Sequence, residues 1–210
     1  MKIKICGLKY RANLKEIATL KPDMLGFIFD DKSPRCMTGT LIPKDLLSMS
    51  DDVVKVGVFM NQPIEYVLRQ ADRFGLDAIQ FQGNESPHDM HMAKSKDLMT
   101  IKAIKPELAN SRKTLASFES VVDYFLFETP STQHSGTGES FEWSELAGYE
   151  SSQPFILSGG LGLGNWKGAL DLKPKPAILD VNSRFESTPG LKDLEKVREF
   201  LAQVRDGLQG

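Results

Sequence analysis

The sequence predicts an α/β fold, a single (β/α)8 barrel covering residues 1–210, and three observations carry that expectation. Eight short β-branched or aromatic runs recur along the chain, beginning near Lys2, Asp23, Val53, Asp77, Thr100, Val122, Pro154 and Pro176. Successive starts lie between 21 and 32 residues apart, room for one strand and one helix each. Most runs are followed by a polar, turn-rich loop and then a helical apolar pattern, which reads as parallel strands closed by right-handed crossovers. An open doubly wound sheet is the rival, and it would show a clearer switch point and fewer evenly spaced units.

The elements follow in order. Met1-Lys2-Ile3-Lys4-Ile5-Cys6 alternates charged and apolar residues as a strand does. Asn13 with Glu16 three residues on resembles a capping box at the start of the first helix. The second strand ends near Phe29 and leads into one of the two longest units. After the third run, Asn61-Gln62-Pro63 opens a helix whose apolar face is Ile64, Val67, Leu68 and Ala71, and Gly75 closes it. Leu76 to Phe81 reads as the fourth strand, and Ser86-Pro87 as an N-cap with Pro at the first helical position. The sixth strand is Tyr124-Phe125-Leu126-Phe127-Glu128, followed by the other long unit with the turn Ser135-Gly136-Thr137-Gly138. The seventh is Pro154-Phe155-Ile156-Leu157. A last helix is expected from about Leu191 to Val204, with Leu191, Leu194, Val197, Leu201 and Val204 on one stripe.

Composition narrows the function. Apolar residues make up 40% of the 210, enough for a sizeable core, and the net charge is −2 with no Lys/Arg block. A nucleic-acid backbone is therefore not the expected partner. No apolar run nears the roughly 20 residues of a membrane span, and the N-terminus lacks the pattern of a signal peptide. With only two cysteines, Cys6 and Cys36, the expectation is a cytoplasmic chain with no membrane contact.

Barrel enzymes put their chemistry at the C-terminal ends of the strands. Cys6 ends the first strand, where a thiol is a base or nucleophile if positive charge lowers its pKa, or else a small buried hydrophobe. Arg35, in Lys32-Ser33-Pro34-Arg35, is either a bidentate carboxylate grip or a solvated surface residue. Ser158-Gly159-Gly160 follows strand seven, and Asn182-Ser183-Arg184-Phe185-Glu186 follows strand eight. These are the two loops between which barrels often bind phosphate, although tight turns alone would leave the same glycines. Glu128 caps an apolar strand and suits proton transfer, the alternative being a plain loop-facing acid. His88 and His91 share a helix start without a convincing third metal ligand, and no dinucleotide or nucleotide fingerprint appears.

Taken in order, these pieces resemble the phosphoribosylanthranilate isomerase family. The matching segments are Lys4-Ile5-Cys6-Gly7, Gly26-Phe27-Ile28-Phe29 with Ser33-Pro34-Arg35, and Val56-Gly57-Val58-Phe59. Next come Leu76-Asp77-Ala78-Ile79-Gln80 with Gly83, and Gly136-Thr137-Gly138 before Phe141-Glu142-Trp143. Leu157-Ser158-Gly159-Gly160-Leu161 and Asp180-Val181-Asn182-Ser183 through Glu186, Pro189-Gly190 and Lys192-Asp193 complete the set. The resemblance implies an Amadori rearrangement of a phosphorylated small molecule, needing no cofactor and no metal, by a monomer or homodimer. It implies Cys6 as base, Glu128 as acid where the family usually has Asp, Arg35 on the substrate carboxylate and Asp180 positioning the substrate. It places Gly159, Gly160, Ser183 and Arg184 on the phosphate.

Four positions depart from the family pattern: Glu128 for Asp, Gln82 for a common histidine, Glu139 for a frequent lysine and Arg184 for a frequent glycine. Lys102 on the fifth strand keeps open a related barrel, an indole-glycerol-phosphate synthase, which needs a catalytic lysine. A barrel that binds a phosphometabolite without turning it over is the reading from another class.

Overall fold

The structure is a computed structural model that describes residues 1–128 and 143–207. Eight parallel strands close into a barrel in chain order. They are β1 (Lys2–Cys6), β2 (Met24–Ile28), β3 (Val54–Phe59), β4 (Ala78–Phe81), β5 (Met99–Ile104), β6 (Tyr124–Phe127), β7 (Phe155–Leu157) and β8 (Ile178–Val181). Each starts within two residues of its expected place, because a β-branched run flanked by turn residues has few other ways to bury itself. Among the described residues the helical layer holds α1 (Arg11–Thr19), α2 (Pro43–Leu47), α3 (Ile64–Phe74), α4 (Pro87–Lys94), α5 (Arg112–Ala116) and α6 (Leu194–Gly207). After β7 the connection is a 3₁₀ segment, Trp166–Leu170, rather than an α-helix. None of these helices is long and apolar enough to cross a membrane.

Side-chain parity sorts the core into two layers. Outward-facing Phe27, Phe29, Phe59, Phe125, Phe127 and Phe155 lie fully buried under the helices. Each such ring contributes roughly 1.5–3 kcal/mol of burial, and Phe29 stacks on Phe59 with centroids 4.6 Å apart. Inward-facing Met24, Val56, Ala78, Ile101, Leu126, Ile156 and Ile178 form a separate apolar floor. Above that floor, toward the βα loops, the interior is mixed: Lys4, Gln80, Ser158 and Asp180 are polar, while Cys6, Ile28 and Val58 form a small apolar cluster.

Local signals fared unevenly. Gly75 ends α3 in the left-handed conformation at φ 60°, and the Ser86 hydroxyl caps α4 by accepting the Asp89 amide. Asn13 does not cap α1; it lies inside the helix, whose N-cap is Tyr10. Its side chain instead donates to Lys192 O at 2.8 Å and accepts from Lys192 N at 2.7 Å. The last helix begins at Leu194, because Leu191–Lys192 form β10, paired antiparallel with β9 (Glu186–Thr188). The turn at Pro189-Gly190, with Gly190 at φ 84°, folds that hairpin, and an apolar stripe does not register such a turn.

Candidate active site

The register of the sheet lines up four polar side chains. Lys4 pairs with Asp180 across β1 and β8. The pairing of Leu157 with Leu179 and of Phe127 with Leu157 sets Ser158 beside Asp180 and Glu128 beside Ser158. All four share the inward parity. Lys4 Nζ lies 2.9 Å from Asp180 Oδ2, both side chains almost wholly buried, and Ser158 Oγ donates to the same oxygen at 3.3 Å. The pairing is asymmetric: burial pushes the Asp180 carboxyl up, and Lys4, Ser158 and Lys192 only partly oppose it. Lys4 is kept charged well into the alkaline range: burial opposes its charge, and Asp180 and Cys6 outweigh that opposition. Asp180 Oδ1 is buried and has no protein donor.

Cys6 sits one alternation above Lys4 and is 5% exposed. Its room comes from Gly26 across the β1–β2 pair, where a Cβ would fall 2.7 Å from Cys6 Sγ. Burial pushes the thiol up, and the ammonium groups of Lys4 and Lys192 pull it partly back while Asp180 adds to the rise. The positive charge expected near this thiol is therefore present, but burial outweighs it.

Glu128 is half-buried just past the end of β6. Burial pushes its carboxyl up to about 7, with the Asp180 charge adding to the rise and Lys4 opposing it. Gln82 Nε2 donates to Glu128 Oε1, and Gln80 Nε2 donates to Gln82 Oε1 at 2.7 Å.

Arg35 is buried rather than solvated, at 7% exposure. Its Nε and Nη2 fork onto Glu186, with Nε–Oε2 at 2.9 Å and Nη2–Oε2 at 2.8 Å. Lys192 Nζ meets the same carboxylate at 2.7 Å and Asn182 Oδ1 at 2.6 Å. Glu186 stays ionised below the usual carboxylate range, since Arg35 and Lys192 more than offset its burial. The β9–β10 hairpin thus ties the loop after β8 to the loop after β2.

After β7, Gly159 and Gly160 both take positive φ, 82° and 66°, a conformation that side chains resist. Asn165 pins this loop, accepting from Gly162 N and donating to Gly160 O, both at 2.8 Å. Ser183 and Arg184 begin a short 3₁₀ turn after β8, anchored by buried Phe185 against Phe200. The Arg184 stem crosses close over Gly162, so the two loops touch.

All eight expected site residues therefore lie at the C-terminal end of the barrel or in its loops. Sequence reasoning missed Lys4, Lys192, Glu186 and Gln80. The signal for Lys4 was present, since Lys2, Lys4 and Cys6 share a parity opposite to Ile3 and Ile5. Lys102 falls on the other parity: it is buried on the outer face of β5, bonded to Glu85 Oε2 at 3.0 Å and Gly83 O. It holds the β4–α4 loop and is no catalytic lysine. His88 and His91 are exposed on α4, and no group of three or more His, Cys, Asp or Glu suited to a metal occurs among the described residues. Glu139 and the Gly136-Thr137-Gly138 turn lie outside the described residues.

Comparison with known proteins adds an independent finding. Residues 3–203 match the family described as N-(5'-phosphoribosyl)anthranilate (PRA) isomerase. The isomerase of Parabacteroides distasonis is 36% identical over 208 residues, covering 97% of this chain and 93% of the relative. That of Phocaeicola vulgatus is 35% identical over the full length of both. Among solved structures, the phosphoribosyl anthranilate isomerase of Thermotoga maritima superposes with a TM-score of 0.84 at 26% identity, covering 98% of this chain and 99% of that one. A phosphoribosyl anthranilate isomerase in complex with reduced 1-(o-carboxyphenylamino)-1-deoxyribulose 5-phosphate superposes at 0.80 with 25% identity and the same coverage.

Proposed function

We infer the roles of individual residues from one premise: the chain belongs to the N-(5'-phosphoribosyl)anthranilate isomerase family. It converts N-(5'-phosphoribosyl)anthranilate into 1-(2-carboxyphenylamino)-1-deoxyribulose 5-phosphate by an Amadori rearrangement, a step of tryptophan biosynthesis. On our reading one (β/α)8 domain spanning residues 1–210 performs it as a cytoplasmic monomer or homodimer.

Glu128 acts as the general acid. Its carboxyl, held protonated to about pH 7, gives a proton to the furanose ring oxygen. The C1′–O bond breaks as the anilino nitrogen lone pair forms a C=N bond, leaving a cationic Schiff base. Cys6 then removes the C2′ proton in its thiolate form, a form that burial disfavours. The electrons of that C–H bond form the enolamine and neutralise the nitrogen, and tautomerisation yields the ketone. Lys4 and Lys192 supply the positive charge that the thiolate requires.

Two anionic ends of the substrate flank this chemistry. Arg35 on the β2 side, oriented by Glu186, would meet the anthranilate carboxylate. Backbone N–H groups at Gly159, Gly160, Ser183 and Arg184, on the β7 and β8 side, would hold the phosphate. Asp180, with Oδ1 unpartnered, would accept from a ribose hydroxyl. The observation that supports the reading is that β1 stands between the β2 and β8 sides, where the two anion grips are proposed, so that Cys6 would lie under the ribose.

The test follows substrate fluorescence with substrate generated in situ. Wild type should consume it, and Cys6→Ala and Glu128→Gln should each lose at least about a hundredfold in kcat while still binding. An undiminished kcat in either variant would remove that residue from its role.

A further inference from the structure

We propose that Gln82 is a positioning residue for Glu128, aimed by Gln80, so that two neutral amides at the end of β4 form a strut that fixes the acid just past β6. The inference rests on Glu128 being the general acid.

The register shows how one strand reaches past its neighbour. Phe81 pairs with Lys102, which sets Gln82 level with Ala103 on β5. Ala103 in turn pairs with Leu126, one alternation below Glu128. The small side chain at position 103 leaves space for Gln82 to cross over β5 to the acid. The Gln82 backbone is fixed by its N–H donating to Phe59 O at 2.8 Å.

The polarity of the strut suits the Glu128 end. Gln82 turns its Nε2 toward Glu128 and its Oε1 away, which serves the ionised carboxylate, an acceptor only, and also the C=O of the protonated acid. The Gln82 oxygen then needs a donor, and Gln80 Nε2 supplies it at 2.7 Å. The consequence is that Gln80 Oε1 is left without a partner in a side chain only 3% exposed. Buried acceptors are rarely left so. The unmade bond is explained if the row of amides serves the acid rather than itself.

The charged groups facing Glu128 come from other strands. Lys4 on β1 and Asp180 on β8 act on it from along the same row, Ser158 just past β7 is neutral, and Lys102 on β5 points outward. The strut is thus the direct hydrogen-bond donor to the acid, and it lends no second titrating group. It also accounts for a glutamate at this place: the longer side chain reaches the amide that orients it.

The test compares Q82L, Q80M and E128Q with wild type by steady-state kinetics and by infrared titration of the carboxyl band that E128Q lacks. Q82L should lower kcat by about tenfold to a hundredfold with KM changed less than about twofold. Its carboxyl should titrate at higher pH, because the ionised form has lost its N–H donor. Q80M should move both readouts the same way by less. A Q82L protein with wild-type kcat and titration overturns the strut while leaving Glu128 as the acid, provided E128Q is inactive. A lowered kcat with an unmoved titration also overturns it, showing a packing role only. If E128Q turns over normally, the acid assignment and the strut fall together.

Discussion

At the scale of single residues, burial governs the ionisation of this site. Glu128 titrates near 7 instead of 4.5, so the folded chain binds its proton more tightly than the unfolded chain does. Its contribution to stability is therefore full below about pH 4.5 and is lost as pH rises toward about 7. Glu128→Gln abolishes that slope. Thermal melts should show the variant gaining on wild type between about pH 5 and about pH 8, and a constant difference in Tm would refute the shift. Cys6 shows the same competition, and Arg35 shows how a buried charge is paired. For the thiol, burial wins over two ammonium groups. For Arg35, the fork onto Glu186 compensates the loss of water, which is how a guanidinium comes to lie 7% exposed.

Elements matter where they join loops that are far apart in sequence. The β9–β10 hairpin carries Glu186, which frames Arg35 from 151 residues away, and Lys192, which meets the same carboxylate. The hairpin is anchored to α1 by the paired bonds of Asn13 to Lys192 N and O. Asn13→Ala would leave a buried N–H and C=O unmatched at a cost of about 2 kcal/mol. Urea unfolding should register that loss, and KM should rise because Arg35 loses its frame. Unchanged stability and KM would mean that the hairpin is held by other contacts. The loops after β7 and β8 are coupled likewise, through Arg184 over Gly162.

For the whole molecule, the barrel interior is divided between an apolar floor and an upper half where polar side chains stand beside the small cluster of Cys6, Ile28 and Val58. Lys4 and Asp180 lie in that upper half, buried far from water. Lys4→Met should destabilise the protein by about 3–5 kcal/mol, since it strands the Asp180 carboxylate. Adding Asp180→Leu should recover most of that stability without recovering turnover. Denaturant titration and the fluorescence assay read the two effects separately. A double variant as unstable as the single one would show that the ion pair itself holds the barrel together.

Periodicity alone located the eight strands and where they begin and favoured a barrel over an open sheet, since strand runs and crossover lengths are local properties of the chain; the pairing of β1 with β8 closed it. The motifs placed Cys6, Arg35, Glu128 and Asp180 and the two loops after β7 and β8 in one catalytic end, because a parallel barrel collects all strand ends on one side. Asn13 and Leu191 were misread for a physical reason: a local cap and a helical stripe fit their neighbours equally well, and bonds across the fold decided between them. Only the tertiary structure decided which side of each strand faces the interior. A shift of one residue turns Lys102 outward to Glu85 and Ile101 inward, and sequence treats the two as adjacent letters. Only the closed register brought Lys4 to Asp180, Gln82 to Glu128 and Glu186 to Arg35, contacts between strands and loops that no local pattern can encode.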